Sequence, residues 1–266
     1  MSATGIGVDV GGTLIKIAYV DEEAIHYRKF PADQLKEAAL WVREHFPGAR
    51  ICVTGGKAAL FQSALEREVQ ALVEFDATCR GIRYLLDSAG ISLDHFILTN
   101  AGTGTSIHFI KEKEHSRVGG SGIGGGTLMG LSSLLANVQE YGEIVHLAEQ
   151  GDRGTIDLKV RHIYEGSEPP ISGDLTASNF GRISEDRDEK DILASVIGLV
   201  GESVATVSVF AAEQCGVSSI VFIGSSFVEN VLLKKVVESY TSLKGMKPLF
   251  VENGEYSGAI GALLAL

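Results

Sequence analysis

Residues 5–20 read GIGVDVGGTLIKIAYV. Two apolar segments flank the turn Asp9-Val10-Gly11-Gly12-Thr13, and the β-branched and aromatic residues after the turn are typical of a strand. The pattern predicts a β-hairpin whose tip exposes amide N–H groups to a phosphate chain, because glycine carries no Cβ. Asp9 is placed to hold Mg²⁺ through water, and Lys16 is placed to reach a phosphate. A plain hairpin with an acidic neighbour fits the same letters.

A second glycine-rich tip lies in the middle of the chain. Residues 100–106 read NAGTGTS, between predicted strands at 96–101 and 105–110. Two hairpin tips at matching positions predict two related lobes, with one tip holding the β-phosphate of a nucleotide and the other the γ-phosphate. We expect an N-terminal lobe over residues 1–97 and a C-terminal lobe over residues 98–266, with a cleft between them.

Two further glycine-containing turns follow predicted strands. Gly124-Gly125-Gly126-Thr127 enters a predicted helix, whose first-turn amides and dipole favour an anion or a ribose hydroxyl. A bare glycine run fits a flexible loop equally well. Gly224-Ser225-Ser226 follows the buried strand at 220–223 and fits the adenine side of the same site.

Phosphoryl transfer to a hydroxyl also needs a base that accepts the hydroxyl proton. Glu74 lies between Val73 and Phe75, where partial desolvation would raise its pKa. A helix-capping acid is the other interpretation, and Asp76 suits that role better than Glu74. Spacing alone does not decide between a base and a cap.

A strand-end arginine precedes the third glycine run. Arg117 could clamp a substrate carboxylate with two parallel hydrogen bonds. An exposed charge at the end of a strand is the commoner role of such a residue.

The order of elements indicates the fold class. Strand, hairpin, strand, helix, strand, helix is the order of an actin-like domain, and it recurs in the second half. Residues 188–214 are apolar on almost every side. A helix of that kind is usually buried, either centrally or against a second subunit.

Composition excludes several classes of function. The formal net charge of −11 argues against non-specific nucleic-acid binding. The three cysteines, Cys52, Cys79 and Cys215, fit neither a disulfide framework nor a metal-binding spacing. No signal peptide and no uninterrupted apolar run of about 18–20 residues is visible. We expect a soluble cytoplasmic protein that binds no membrane.

The motifs together resemble the type II pantothenate kinases of staphylococci, over essentially the whole chain. Four of them are the glycine-containing turns described above, at residues 9–16, 102–106, 124–127 and 224–227. All the motifs occur in the order in which the family has them. The others are Val73-Glu74-Phe75-Asp76-Ala77, Arg117-Val118-Gly119-Gly120 and the block GDLTASNFG at residues 173–181. That block is not a general feature of sugar kinases.

The resemblance implies a duplicated actin-like, ribonuclease H-like α/β fold with mixed sheets flanked by helices and an ATP cleft between the lobes. It implies ATP- and Mg²⁺-dependent phosphorylation of pantothenate to 4′-phosphopantothenate, the first step of coenzyme A biosynthesis. It also implies a homodimer formed through the helix at about 188–214. The last helix is expected to pack back toward the first lobe.

The resemblance further implies roles for individual residues. Glu74 matches the catalytic base, and Asp9 the metal-binding residue. The residues matched to the acceptor pocket are Arg117, Thr103, Ser106 and Tyr240. The residues matched to the nucleotide site are Asp9, Val10, Gly11, Gly12, Thr13, Leu14, Ile15, Lys16, Thr103, Gly125, Gly126, Thr127, Leu128, Met129, Tyr141 and Ser225.

Two alternatives remain at this point. One is another actin-like small-molecule kinase, for example for an amino sugar, which would usually carry an Asp base in an Asn-Asp motif. The other is a non-transferring actin-like ATPase, such as an activator that bridges an iron–sulfur cluster with paired cysteines. The acidic stretch from Ser184 to Lys190 departs from the family pattern and reads as a surface loop.

Overall fold

The computed structural model of the chain describes residues 5–22, 24–112 and 114–266. Contacts divide the chain into two compact units. The first comprises the chain up to His95, together with Ile110–Ser116 and Phe250–Leu266, and the second comprises Phe96–Phe109 and Arg117–Leu249. Each unit contains α-helices and a five-stranded sheet, which confirms the predicted α/β class.

Twelve strands are present in the described residues. In chain order they are β1 (Gly5–Val10), β2 (Leu14–Asp21), β3 (Ala24–Pro31), β4 (Arg50–Thr54), β5 (Gln70–Ala71), β6 (His95–Ala101), β7 (Thr105–Lys111), β8 (Glu114–Ser121), β9 (Leu158–Lys159), β10 (Thr176–Ser178), β11 (Ser219–Ile223) and β12 (Lys247–Phe250).

The described residues also form nine α-helices. They are α1 (Leu35–His45), α2 (Ala58–Leu65), α3 (Glu74–Ser88), α4 (Gly125–Ala136), α5 (Tyr141–Ala148), α6 (Val160–Ile163), α7 (Glu189–Cys215), α8 (Val231–Leu243) and α9 (Ser257–Leu263). Short 3₁₀ turns join several of these elements.

The sheet of the first unit has the strand order β3-β2-β1-β4-β5. The predicted β1–β2 hairpin is confirmed: the two strands are antiparallel, and Asp9 lies opposite Lys16. On its other side β1 runs parallel to β4, with Asp9 beside Thr54. The apolar residues of β1 alternate into a core that also contains side chains of α1 and α2.

The last helix, α9, belongs to the first unit and packs against α3 and β1. The contact is close enough that a Cβ on Gly7 of β1 would come within 1.9 Å of the Ala259 carbonyl oxygen. Glycine at this position therefore allows the helix backbone to lie directly on the strand that ends in Asp9.

The sheet of the second unit has the order β12-β11-β6-β7-β8. β6 and β11 are parallel, with Asn100 beside Ile223. The turns after these two strands, which carry the second hairpin tip and the Gly224–Ser226 turn, therefore leave the sheet at the same edge.

The long helix α7 is buried along most of its length, as the sequence predicts, and packs against α4, α5 and α8. Asp188 caps its first turn by accepting hydrogen bonds from the Lys190 and Asp191 amides at 2.9 and 3.2 Å. Its length and its mean hydropathy of 1.9 would suit a membrane span. However, 72% of that stretch is buried inside the protein, which is typical of a core helix.

The segment between α5 and α7 contains short elements that the sequence patterns do not predict. β9 and β10 form a two-stranded antiparallel ribbon, and α6 follows β9 directly. The segment is fastened to α7 by a largely buried cluster of polar side chains. Its members are Arg153, Asp157, Lys159, Thr176, Asn179 and Glu202.

Candidate active site

Asp9 ends the first strand of the chain and is held between two glycines. A Cβ on Gly55 would lie 2.8 Å from Asp9 Oδ1, and a Cβ on Gly258 of α9 would lie 2.8 Å from Asp9 Oδ2. Only residues without a side chain leave room for the carboxylate at this position. Burial raises the pKa of Asp9, and the nearby Lys16 ammonium lowers it again in part.

The turn after Asp9 exposes its tip to solvent. The Gly11 amide donates to the Leu14 carbonyl at 3.0 Å, which closes the turn, while Gly12 and Thr13 at the tip are exposed. The side chains of Val10 and Ile15 are fully buried in the core of the first unit. These two predicted contact residues therefore have only backbone groups to offer a ligand.

Glu74 is the first residue of α3 and is exposed. Although the residue as a whole is exposed, its carboxyl is partly desolvated by the surrounding protein. This desolvation and the nearby Asp9 carboxylate raise the pKa of Glu74, and Lys16 lowers it. The same two residues, Asp9 and Lys16, are therefore electrostatic neighbours of Glu74. A carboxyl with a raised pKa is better matched to accepting a proton near neutral pH than an ordinary glutamate is.

The interpretation of Asp76 as a helix cap is wrong. The residue before α3 is Val73, and no side chain caps this end of the helix among the described residues. Asp76 instead lies in the first helical turn, and its Oδ1 is 2.8 Å from Nε2 of His115. Because this pairing occupies the Asp76 carboxylate, Glu74 is the acid of the two that is not held by an ion pair in the described residues.

A metal at this site would have few protein ligands. Among the described residues, no group of three or more His, Cys, Asp or Glu side chains could hold a metal ion. Mg²⁺ in phosphoryl-transfer sites typically keeps several waters and takes one or two carboxylates together with substrate phosphate oxygens. Asp9 offers one such carboxylate, and burial raises its pKa more than the nearby Lys16 lowers it.

In the second unit, the second hairpin tip and the glycine run before α4 are bonded to each other. The Gly125 amide donates to the Gly102 carbonyl and the Gly126 amide to the Thr103 carbonyl, each at 2.8 Å. Ser226 Oγ donates to the same Gly102 carbonyl at 3.1 Å. Three loops predicted to bind nucleotide thus converge. However, the Gly125 and Gly126 amides, which were predicted to contact the nucleotide, already donate to carbonyls of the second hairpin tip.

The helix after the glycine run begins at Gly125, two residues before Thr127, where the sequence pattern predicts its start. Thr127 Oγ1 donates to the Gly122 carbonyl at 3.0 Å. Leu128 is fully buried, whereas Met129 is partly exposed beside it. Leu128 therefore contributes to the packing of α4 and can reach a ligand only through its backbone.

Tyr141 opens α5 and fixes the turn after β11. Its hydroxyl donates to the Ser226 carbonyl at 2.7 Å and also lies 3.3 Å from the Val228 carbonyl oxygen. Burial raises the pKa of Tyr141 to about 12, so the hydroxyl stays protonated and remains a donor. Ser225, at the start of the same turn, is partly exposed.

The predicted acceptor residues of the second unit lie on β7, β8 and the tip before β7. Arg117 is an exposed residue of β8, and among the described residues its guanidinium has no ion-pair partner. Its Nη2 folds over Gly120, where a Cβ would come within 2.5 Å. Thr103 is exposed, and Ser106 on β7 is partly exposed.

Tyr240 lies elsewhere in the second unit, on the wall of a mostly apolar pocket of about 820 Å³. Its hydroxyl accepts a hydrogen bond from the Thr176 amide at 3.1 Å. Burial is the main cause of the raised pKa of Tyr240. The pocket is also lined by Ile163, Ile171, Phe210 and Leu243, all of which are more than half exposed.

Sequence patterns missed the two glycines that flank Asp9. A signal for Gly55 was present, because Gly55-Gly56 follows the buried strand β4 just as Gly11-Gly12 follows β1. No local signal marks Gly258, which reaches Asp9 only through the packing of α9.

Comparison with known proteins gives the family. The sequence profile of the Fumble family matches residues 23–265. The chain belongs to the Fumble family. This Fumble-family chain is 44% identical over 262 residues to a curated relative named type II pantothenate kinase, from Staphylococcus epidermidis. The alignment covers 97% of this chain and 98% of the relative, and it confirms the resemblance predicted from the motifs.

Solved structures with little sequence similarity share the fold of this Fumble-family chain. An activator of 2-hydroxyisocaproyl-CoA dehydratase from Clostridium difficile, with bound ADPNP, is 14% identical with a TM-score of 0.64, covering 99% of this chain and 93% of that one. A ROK family glucokinase from Streptomyces griseus, with glucose and AMPPNP, is 16% identical with a TM-score of 0.57, covering 99% of both chains. These similarities confirm the predicted actin-like fold.

Proposed function

We propose that this chain phosphorylates pantothenate at its 4′-hydroxyl with ATP, the first step of coenzyme A biosynthesis. The observation that carries the proposal is the 44% identity to type II pantothenate kinases over 97% of the chain. The motifs at Asp9–Lys16, Glu74 and Arg117 fit this reaction, and each lies on a well-defined element. Neither buried cysteine, Cys52 or Cys79, is available to a cluster as an activator would require.

In the proposed reaction, the hydroxyl oxygen of pantothenate attacks the γ-phosphorus of ATP. The bond between the γ-phosphorus and the β,γ-bridging oxygen breaks, ADP leaves, and the hydroxyl proton passes to the Glu74 carboxylate. The raised pKa of Glu74 supports this role, because burial and the Asp9 carboxylate make its ionised form a stronger base. Protonated Glu74 then loses its proton to water before the next turnover.

Asp9 would hold the Mg²⁺ that accompanies ATP, with the remaining ligands supplied by phosphate oxygens and water. The bound ion would neutralise charge on the transferring phosphoryl group. The hairpin tip at residues 11–13 would receive phosphate oxygens on its amides, and Lys16 would contribute a positive charge. Thr103, residues 125–129, Tyr141 and Ser225 would form the remaining nucleotide contacts. Gly125 and Gly126 would do so through close approach, because their amides bond the Gly102 and Thr103 carbonyls.

Arg117 would bind the pantothenate carboxylate. Its guanidinium has no ion-pair partner among the described residues, and an arginine fork matches a carboxylate with two hydrogen bonds. Thr103 and Ser106 would contact the acceptor through their hydroxyls, and Tyr240 would contact its far end.

We also propose that two copies associate through the face that surrounds α7, and that the protein works in the cytoplasm. Four large apolar side chains on that face are more than half exposed, namely Ile163, Ile171, Phe210 and Leu243. Exposed apolar patches of this kind commonly mark protein interfaces. The three cysteines are free thiols, which fits a reducing compartment.

The test of the reaction is an ADP-release assay with pantothenate, pantetheine and several hexoses and amino sugars, together with Glu74 variants. We expect pantothenate-dependent ADP release, which Glu74→Gln lowers by about 10²–10⁴-fold in kcat while ATP affinity stays within about three-fold. Because the base must be ionised, kcat of the wild type should fall in acid, with a midpoint above pH 4.5, the ordinary pKa of a glutamate.

Asp76→Asn is the matched control, because Asp76 lies on the same helical turn but is paired with His115. This variant should keep most of the activity. ADP release that ignores pantothenate, or that responds to an amino sugar instead, would reject the proposed acceptor. Full activity in Glu74→Gln would reject the proposed base.

A further inference from the structure

The turn between β4 and α2 is bonded to the tip of the first hairpin. The Lys57 amide donates to the Val10 carbonyl at 3.0 Å. Gly55 has a φ of +92°, and a Cβ there would come within 2.6 Å of the same carbonyl oxygen. The turn at residues 55–57 is therefore built against the residues that the nucleotide is proposed to contact.

Lys57 places a positive charge on that tip. Its Nζ donates to the Gly12 carbonyl at 3.1 Å, and the residue is partly exposed. An ammonium group has three N–H donors, and this carbonyl takes one of them. None of the ion pairs formed by the described residues includes Lys57, so no carboxylate neutralises its charge.

The position of Lys57 fits a role in binding phosphate better than a purely structural role. A lysine that only fastened the turn would need one N–H donor, whereas the bond to the Gly12 carbonyl leaves two N–H donors of the Lys57 ammonium for a ligand. Here the charge lies at a hairpin tip whose Gly12 and Thr13 are both exposed to solvent. On the other side of the hairpin, Lys16 is paired in register with Asp9.

We propose that Lys57 binds the phosphate chain of the nucleotide, as a second lysine beside Lys16, and holds the tip in its phosphate-binding form. The proposal rests on the proposed function, because it takes the tip at residues 11–13 to be the phosphate site. The ammonium bonds the Gly12 carbonyl with one N–H and the β- or γ-phosphate oxygens with the others. Its ligand is thus a nucleoside di- or triphosphate, and the adenine end of the nucleotide does not depend on it.

Two variants of Lys57 separate charge from hydrogen bonding. Lys57→Met keeps the apolar stem and removes both the charge and the donor. Lys57→Gln removes the charge but keeps an N–H donor that can reach toward the Gly12 carbonyl. Lys36→Met is the control, since Lys36 is an exposed lysine of α1 in the same unit.

The measurement is calorimetric binding of ATP, ADP and AMP to the purified full chain, with KM values for ATP and pantothenate. We expect both Lys57 variants to weaken ATP and ADP binding by about 10- to 100-fold, as loss of a charge-assisted hydrogen bond would. AMP affinity and the pantothenate KM should change by less than about three-fold, and Lys36→Met should match the wild type.

Three results would overturn the proposal. If Lys57→Gln bound ATP as tightly as the wild type, Lys57 would be a structural residue whose charge does not contribute to nucleotide binding. Equal losses for ATP, AMP and pantothenate would mean general damage to the site. A wild-type chain that binds ATP no more tightly than AMP would remove the phosphate site itself. In contrast, normal ATP binding without transfer to pantothenate would reject the proposed function only. The role of Lys57 would then still be decided by the affinities of its variants for ATP, ADP and AMP.

Discussion

At the scale of single residues, the carboxylate of Asp9 has an unfavourable position in the protein without ligands. It lies between Gly55 and Gly258, and its burial raises its pKa more than Lys16 lowers it. An acid whose pKa is higher in the folded than in the unfolded chain favours folding at low pH, and that contribution is lost as pH rises through the folded pKa. At neutral pH, ionised Asp9 therefore costs folding free energy.

Replacing Asp9 with asparagine should make the protein more stable and inactive. We expect Asp9→Asn to raise Tm at pH 7 by a few degrees, since about 1 kcal/mol corresponds to roughly 2–4 °C in a protein of this size. The difference from wild type should vanish at a pH below 3.8, the ordinary pKa of an aspartate. Thermal unfolding followed by circular dichroism at several pH values measures this.

The control for this prediction is Asp87→Asn on the exposed side of α3. It should leave Tm within about 1 °C at every pH, because surface substitutions usually change stability by less than about 0.5 kcal/mol. A lower Tm for Asp9→Asn at pH 7 would show that the ionised carboxylate stabilises the protein, contrary to the argument from burial.

At the scale of elements, Glu202 joins the long helix α7 to the segment that precedes it. Its carboxylate is paired with Arg153 and accepts hydrogen bonds from Thr176 Oγ1 at 2.7 Å and Asn179 Nδ2 at 3.0 Å. Burial alone would raise the pKa of Glu202, but Arg153 and these hydrogen bonds outweigh it and lower the pKa. The segment between α5 and α7, including the Thr176 amide that bonds Tyr240, depends on this carboxylate.

Removing Glu202 should cost much more stability than removing an exposed glutamate of the same helix. We expect Glu202→Ala to lower the free energy of unfolding by about 3–5 kcal/mol, because it leaves the buried Arg153 charge without one of its partners. Glu213→Ala, on an exposed position of α7, should change it by less than about 0.5 kcal/mol. Urea unfolding of both variants measures the difference.

The stabilisation by Glu202 should also depend on pH. Because its pKa is lowered by folding, its contribution is complete above its ordinary pKa of 4.5 and is lost as pH falls through the lowered value. The gap between wild type and Glu202→Gln should therefore narrow in acid. A gap that stays constant down to pH 2 would contradict the assignment of a charged, paired Glu202.

Local sequence patterns were sufficient to predict elements whose own residues carry a strong signal. The β1–β2 hairpin and the buried α7 follow from alternation and from apolar residues on all faces. Helix α5 was not predicted: it has only eight residues, and Glu140, the residue that precedes it, makes no side-chain cap, so its start carries no signal. The ribbon of β9 and β10 is fastened to α7 by the Glu202 cluster, which joins residues far apart in the chain and which no local pattern encodes.

The candidate site likewise contains residues that the sequence predicts and contacts that it does not. The sequence alone led to Asp9, Glu74 and Arg117, because each stands in a short recognisable motif. It could not predict that Lys57 bonds Gly12 or that Gly258 confines Asp9, since these contacts join distant parts of the chain. Nor could it predict that the Gly125 and Gly126 amides bond the second hairpin tip.

At the scale of the whole molecule, the exposed apolar face around α7 bears on the assembly of the protein. Phe210 is 60% exposed, so a polar residue there should not disturb the fold of one chain. We expect the wild type to be a dimer and Phe210→Glu to be a monomer by light scattering coupled to size exclusion. Leu60→Glu is the control, because Leu60 is 61% exposed on α2 and should leave the dimer intact. A monomeric wild type would reject the interface.

The return of α9 to the first unit has a consequence for biosynthesis. On the ribosome, β1 emerges long before the helix that packs against it, because the entire second unit is made between them. Until then the strand that ends in Asp9 keeps part of its apolar surface in water, which exposes a nascent chain to aggregation. The second unit can close first, and the N-terminal part of the chain would be the last to mature. Chaperone dependence should therefore fall sharply once residues 257–263 leave the exit tunnel.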